Sequence, residues 1–151
     1  MTICESEVVV GQPPDVVSER WRALPALAGK LDGVVVSPLT KVTSHWSVPM
    51  VGGMRADLLV REMGRTARDI VWSTTAGPAI AGRVSFRPVG NESTSVRLRF
   101  EVEPHGAMER MAVLAGMPQH VAQEFLRAFK KAVEDDRGVA APGELRGGDD
   151  D

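Results

Sequence analysis

Glu62 and Arg68 flank the stretch "MGRTA" and fall on the same face of two segments that alternate polar and apolar residues. They can pair across a hairpin and hold its turn. Alternatively, Arg68 can anchor a carboxylate or an enolate at the end of an enclosed space. His105, in "EPHGAM", is the second candidate for chemistry, because it sits in the connection between the last alternating segment and the last helical one. Loop residues of this kind carry function more often than scaffold residues do, although an exposed histidine without a role fits the same sequence. His45 alternates with Trp46 and is expected to point outward. His120 shares a helical face with Glu124, Arg127 and Lys131, which marks a solvated stripe. Deeper polar groups on the inward parity are few: Ser44, Thr74, Thr94 and the indole N–H groups of Trp46 and Trp72.

No serine has a recognisable histidine and acid partner, so nucleophilic catalysis has no support. The one cysteine, Cys4, has no disulfide partner in the chain and reads as a small apolar strand residue. No Cys/His cluster has metal-ligand spacing, and no metal or cofactor is expected.

These residues belong to a chain of 151 with 43% apolar and 25% charged residues and a formal charge of −2. That length predicts one domain with a sizeable core. The charge balance offers no basic excess for phosphates, which argues against nucleic acid as a partner. Runs such as "GVVVSPL" are too short to span a bilayer, and "MTICESEVVV" lacks the basic start and apolar core of a secretory signal. A cytoplasmic location is expected, and a homodimer is compatible with the sequence.

Periodicity predicts the elements. Residues 2–10 read as a strand. "GQPPDVVSERWRAL" reads as a helix opened by Pro13 and Pro14, with Val16, Val17, Trp21 and Leu24 on one face, and "PALAGK" as a second short helix ended by Gly29. The period then becomes two, with strands expected at 33–40, 42–50, 54–62, 68–75, 80–88 and 94–103. The short breaks between them favour antiparallel hairpins. A helical stripe of Val121, Phe125, Phe129, Ala132 and Val133 follows, with Met108, Met111, Leu114 and Ala115 before it and a break expected around "AGMP". The domain is expected to occupy 1–136. Residues 137–151 carry too little apolar content to pack and are expected to form a disordered tail.

Alternation also assigns faces. In "TSVRLRFEV", Val96, Leu98, Phe100 and Val102 share a side that opposes Arg97, Arg99, Glu101 and Glu103, so they point inward. The same rule turns Ile80, Gly82, Val84 and Phe86 inward, with Ile70, Trp72 and Thr74, with Ser44, Trp46, Val48 and Met50, and with Met54, Ala56, Leu58 and Val60. Facing them, the helical segment offers Met111, Leu114, Met117 and Phe125. These side chains can interdigitate as a filled core. They can also leave a hollow where Gly82, Ala56 and Ser44 are small.

The order strand, two short helices, antiparallel meander and long C-terminal helix resembles the START-like, or SRPBCC, superfamily. Within it the chain is similar to the polyketide cyclase/dehydrase and coenzyme Q-binding group. The resemblance rests on "QPPDVVSERWRALPALAG", "HWSV", "DIVWSTTAG", "AGRVSFRPVGNESTSVRLRFEVEPHG" and "VAQEFLRAFKKAVE", and spans the chain to about residue 136. It implies an α+β helix-grip fold, a seven-stranded antiparallel sheet wrapped around the long C-terminal helix. It also implies an apolar cavity for a hydrophobic small molecule, lined here by Ser44, Trp46, Leu58, Trp72, Thr74, Phe86, Leu98, Phe100, Met111, Leu114, Met117 and Phe125. Aromatase/cyclases of the superfamily commonly use a cavity arginine and tyrosine or other hydroxyls; this chain has no tyrosine, so none of their catalytic residues is carried over. Arg68 and His105 stand as catalytic candidates from their own positions. Two functions compete: cyclisation or dehydration of a polyketide-like molecule, and carriage of a lipid or isoprenoid quinone. An interaction module on the outer sheet face is the third, weakened because Glu101, Glu103 and Asp57 offset Arg83, Arg87, Arg97 and Arg99.

Overall fold

Seven alternating segments pair into a single sheet. The structure, a computed structural model, describes residues 2–27, 29–50, 53–103, 106 and 117–140, with the side chains of 117 and 136–140 excluded. The strands are β1 (Thr2–Val10), β2 (Val35–Pro38), β3 (Thr43–Pro49), β4 (Arg55–Arg65), β5 (Asp69–Ala76), β6 (Ala79–Val89) and β7 (Ser93–Glu103). Their order in space is β1-β7-β6-β5-β4-β3-β2, every neighbour antiparallel. The consecutive strands are joined by turns; β1 alone crosses to pair with the last strand.

Between β1 and β2 stands α1 (Pro14–Arg22), followed by a 3-10 turn (Leu24–Leu27). Pro13 is extended and Pro14 supplies a preset φ at the first helical position, where its missing amide costs nothing. Asp15 in the first turn and Arg20 and Arg22 in the last suit the helix dipole. Val17 and Trp21 are buried as expected, but Val16 is exposed, because it lies to the side of the face that meets the sheet. The expected second helix is only the 3-10 turn, closed by Gly29 at φ +82.

The long helix α2 (Met117–Ala140) packs against β1 and, to a lesser degree, β7. Pro118 occupies its first turn, and the break expected before it falls on residues outside those described. Ala122, Phe125, Leu126, Phe129, Ala132 and Val133 form its buried stripe. The helix continues through 137–140, past the expected domain end; 141–151 lie outside the described residues.

Polar clamps fix α2 along the edge strand β1, where open backbone groups would otherwise invite another strand. Near its start, the Gln119 side chain accepts from the Glu5 amide at 3.0 Å, and donates to the Glu5 carbonyl and to the Ser6 hydroxyl. Further along, Lys130 donates to the Val9 carbonyl and to Glu134, each at 2.8 Å, and Glu134 accepts from the Gly11 amide at 2.8 Å. Partial burial works to raise the Glu134 pKa, but the Lys130 and Gly11 hydrogen bonds outweigh it and hold the carboxyl below its usual range.

The outer sheet face is tiled with cross-strand ion pairs: Arg97 with Glu7 at 3.5 Å, Arg99 with Glu5 at 3.6 Å, Arg87 with Asp69 at 3.1 Å. A hydrogen bond from the Ser85 hydroxyl, followed by Arg87, lowers the Asp69 pKa. His45 points outward as expected, and its Nε2 lies 3.2 Å from Asp57 on this face. Such mutually satisfied charges describe a solvated surface.

Candidate functional site

A cavity of about 940 Å³ lies between α2 and the inner face of the sheet. It exists because the aromatic core is concentrated at one side. There Trp21 stands edge-on to Phe86, Phe125 and Phe129, with ring centroids at 6.1, 5.6 and 5.2 Å, and these rings prop α2 over the sheet. Away from that column, β2 to β5 curve past the helix and their inward residues meet open space. Val36, Trp46, Leu58 and Trp72 line it from consecutive strands, Leu98 and Phe100 line it from β7, and Val121, Ala122 and Phe125 roof it.

Two indoles shape the wall. Trp46 leans on Phe125, centroids 5.5 Å apart, and donates from Nε1 to the Ser44 hydroxyl at 2.9 Å, so its polar edge is satisfied inside an apolar lining. Trp72 lies beside Phe100 at 6.3 Å, over Gly82. A Cβ on Gly82 would stand 2.8 Å from Trp72 Cζ2 and 2.7 Å from the Arg99 carbonyl oxygen and Phe100 Cβ, so the absent side chain is the room that this indole uses.

Charge enters the lining mainly at one end. Arg65 donates to Glu62 through Nε and Nη2, each at 2.7 Å, and both residues border the cavity, as do Lys41, Thr40 and Thr43. A bulge between Glu62 and Gly64 makes this arrangement. Inward parity runs through Ala56, Leu58, Val60 and Glu62, and the extra residue shifts it so that Arg65 returns to the cavity side. Among the described residues no group of three or more His, Cys, Asp or Glu could hold a metal ion, and no helix is long and apolar enough to cross a membrane.

The same architecture recurs in solved structures. The START superfamily protein of Mycobacterium smegmatis superposes with a TM-score of 0.66 at 16% identity, covering 89% of this chain and 95% of its own. The chain has the START-like helix-grip fold. The Zhui aromatase/cyclase of a Streptomyces species reaches a TM-score of 0.78 at 18% identity, covering 90% of this chain and 95% of its own. The protein TTHA0849 of Thermus thermophilus reaches 0.79 at 18% identity, covering 89% and 99%. No protein-family model matches the chain, and no curated protein matches it in sequence.

Within this helix-grip cavity the expected residues divide. Ser44, Trp46, Leu58, Trp72, Leu98, Phe100 and Phe125 all line it. Phe86 points inward but does not border the space; it is 1% exposed and packed against Trp21. Thr74 is also off the wall. Its hydroxyl bonds the Pro78 carbonyl at 2.9 Å and the Ile80 amide at 3.0 Å, closing the turn between β5 and β6. Arg68 lies on the exposed turn before β5, where its carbonyl accepts from the Phe86 amide at 2.8 Å. The Glu62 partner is therefore Arg65, not Arg68. His105, Met111 and Leu114 lie outside the described residues, as does the Met117 side chain.

Sequence reasoning left out Trp21, Lys41 and Arg65 as lining residues. Trp21 carried a signal, since it shares the buried helical face with Val17 and Leu24 while being the largest side chain there. Lys41 and Arg65 carried none readable by alternation: one sits in a turn and the other lies beyond a bulge.

Proposed function

We propose that the protein encloses an elongated, polyketide-like hydrophobic molecule and directs its cyclisation or dehydration by holding it folded. The cavity carries this reading. Its volume suits a ligand of drug size or larger, and Trp46, Leu58, Trp72, Leu98, Phe100 and Phe125 give its middle section a mostly apolar wall among the described residues. A poly-β-keto chain is reactive enough to condense unaided, and holding reacting carbons together can supply roughly 7–11 kcal/mol of the barrier without a strong acid or base. Confinement away from water also suppresses competing reactions. The likeness to an aromatase/cyclase supports the same reading at the level of fold.

Incubation of a reactive poly-β-keto substrate with and without the protein tests it. The expected result is enrichment of one cyclised product; an unchanged product distribution sinks the reading. The carrier reading, with a lipid or isoprenoid quinone as cargo, is favoured by one observation. The sole carboxylate lining the cavity among the described residues, Glu62, is held by the Arg65 fork rather than left to move protons. Native mass spectrometry of protein taken from its source separates the two, because an intact co-purifying lipid marks a carrier.

A further inference from the structure

Of the five charged residues that line the cavity among those described, Lys41, Glu62 and Arg65 sit together, while Arg22 borders it from the end of α1 and Arg55 from β4. Thr43 pairs with Arg61, and the Glu62 amide donates to the Val42 carbonyl at 2.7 Å, which places the turn after β2 against the end of β4. Thr40, Lys41, Thr43, Glu62 and Arg65 therefore share one end of the lining. The opposite end is built from Met50, Met54, Ala56, Pro78, Ile80 and Val102. Arg55 contributes only its stem there, because its guanidinium donates to the Ser47 hydroxyl and the Gly33 carbonyl. At about 3.3 Å per residue, the inward row from Ala56 to Glu62 separates the two ends by about 20 Å. That is the reach of a long acyl chain.

At the polar end, the Lys41 ammonium and the Thr40 hydroxyl keep donor capacity that no described residue takes up. The Glu62 carboxylate is occupied by Arg65. The Thr40 hydroxyl oxygen already accepts from the Val42 amide at 3.2 Å and the Thr43 amide at 3.0 Å, so its own hydrogen is what it can still offer. The Lys41 ammonium, with three N–H groups, makes no ion pair or hydrogen bond with a described residue. A neutral ligand head can accept from these donors but leaves the Lys41 charge without a counter-charge, whereas a carboxylate supplies both acceptor oxygens and the opposite charge.

We infer that the ligand is an amphiphile with a carboxylate head, bound by Lys41 and the Thr40 hydroxyl, and with its apolar tail running toward Met54 and Ile80. This deepens the enclosed-ligand reading and rests on it. Titration of the full chain with palmitate and with hexadecanol, at a pH where the carboxylate is ionised, tests the inference. Because Lys41 is exposed, the expected margin is modest, about tenfold in favour of palmitate, and it shrinks as salt is raised. Lys41→Met is expected to abolish the margin and Lys41→Arg to keep it. Equal or tighter binding of hexadecanol by the unmodified protein, or a margin that survives Lys41→Met, overturns the carboxylate assignment and leaves the enclosed-ligand reading standing. If neither chain binds, that reading falls and the inference falls with it.

Discussion

Gly82→Ala is expected to destabilise the protein by about 3 kcal/mol, the upper part of the range for overpacking, and to lower Tm by roughly 6–12 °C. The added methyl would meet three groups that cannot all withdraw: the Arg99 carbonyl oxygen and Phe100 Cβ at 2.7 Å, and Trp72 Cζ2 at 2.8 Å. Two of these belong to β7, which is held to β6 along its whole length, so the strand pair cannot part locally. The indole is what can move, and it moves into the cavity. Thermal unfolding measures the loss. The replacement of Trp72 by a smaller residue in the same background restores part of the stability if that indole is the obstruction.

The paired substitution Ala56→Trp with Val60→Trp is expected to leave the fold intact and to weaken binding of a long apolar ligand by about a hundredfold. Both positions face the cavity from β4, one on each side of Leu58, and each of the three has an open wall before it. Two indoles there displace roughly 100 Å² of ligand contact, which at about 25 cal/mol per Å² is close to 2.5 kcal/mol. Titration calorimetry with hexadecanol reads the affinity, and an unchanged Tm shows that the sheet still forms. Binding that persists undiminished would place the ligand elsewhere.

Period-two alternation carried most of this architecture. Val96, Leu98, Phe100 and Val102 are buried and their neighbours Arg97, Arg99 and Glu103 exposed, because a sheet with one wet face forces that division on every strand. Alternation reports the side of the sheet but not the depth below it. Phe86 and Phe100 have the same parity, yet Phe86 lies in the column under Trp21 while Phe100 borders open space. Hydroxyls were legible only as inward groups: nothing in "STTAGPAI" states that Thr74 closes its own turn. Bulges defeated the method outright. One extra residue after Glu62 turned Arg65 to the cavity side, since parity counted across an irregularity is inverted beyond it. Arg68 keeps the parity of Ile70 and Trp72 but precedes β5 on an exposed turn.

The central claim is that a hydrophobic molecule enters the space between α2 and the sheet, where two of the three indoles stand half-buried on the wall and the third, Trp21, borders the same space but is only 9% exposed. Acrylamide quenching of tryptophan fluorescence, with and without saturating hexadecanol, addresses it directly. The account predicts that ligand protects Trp46 and Trp72 and that the protection vanishes when both are replaced by phenylalanine. Quenching that stays the same at saturation would contradict it.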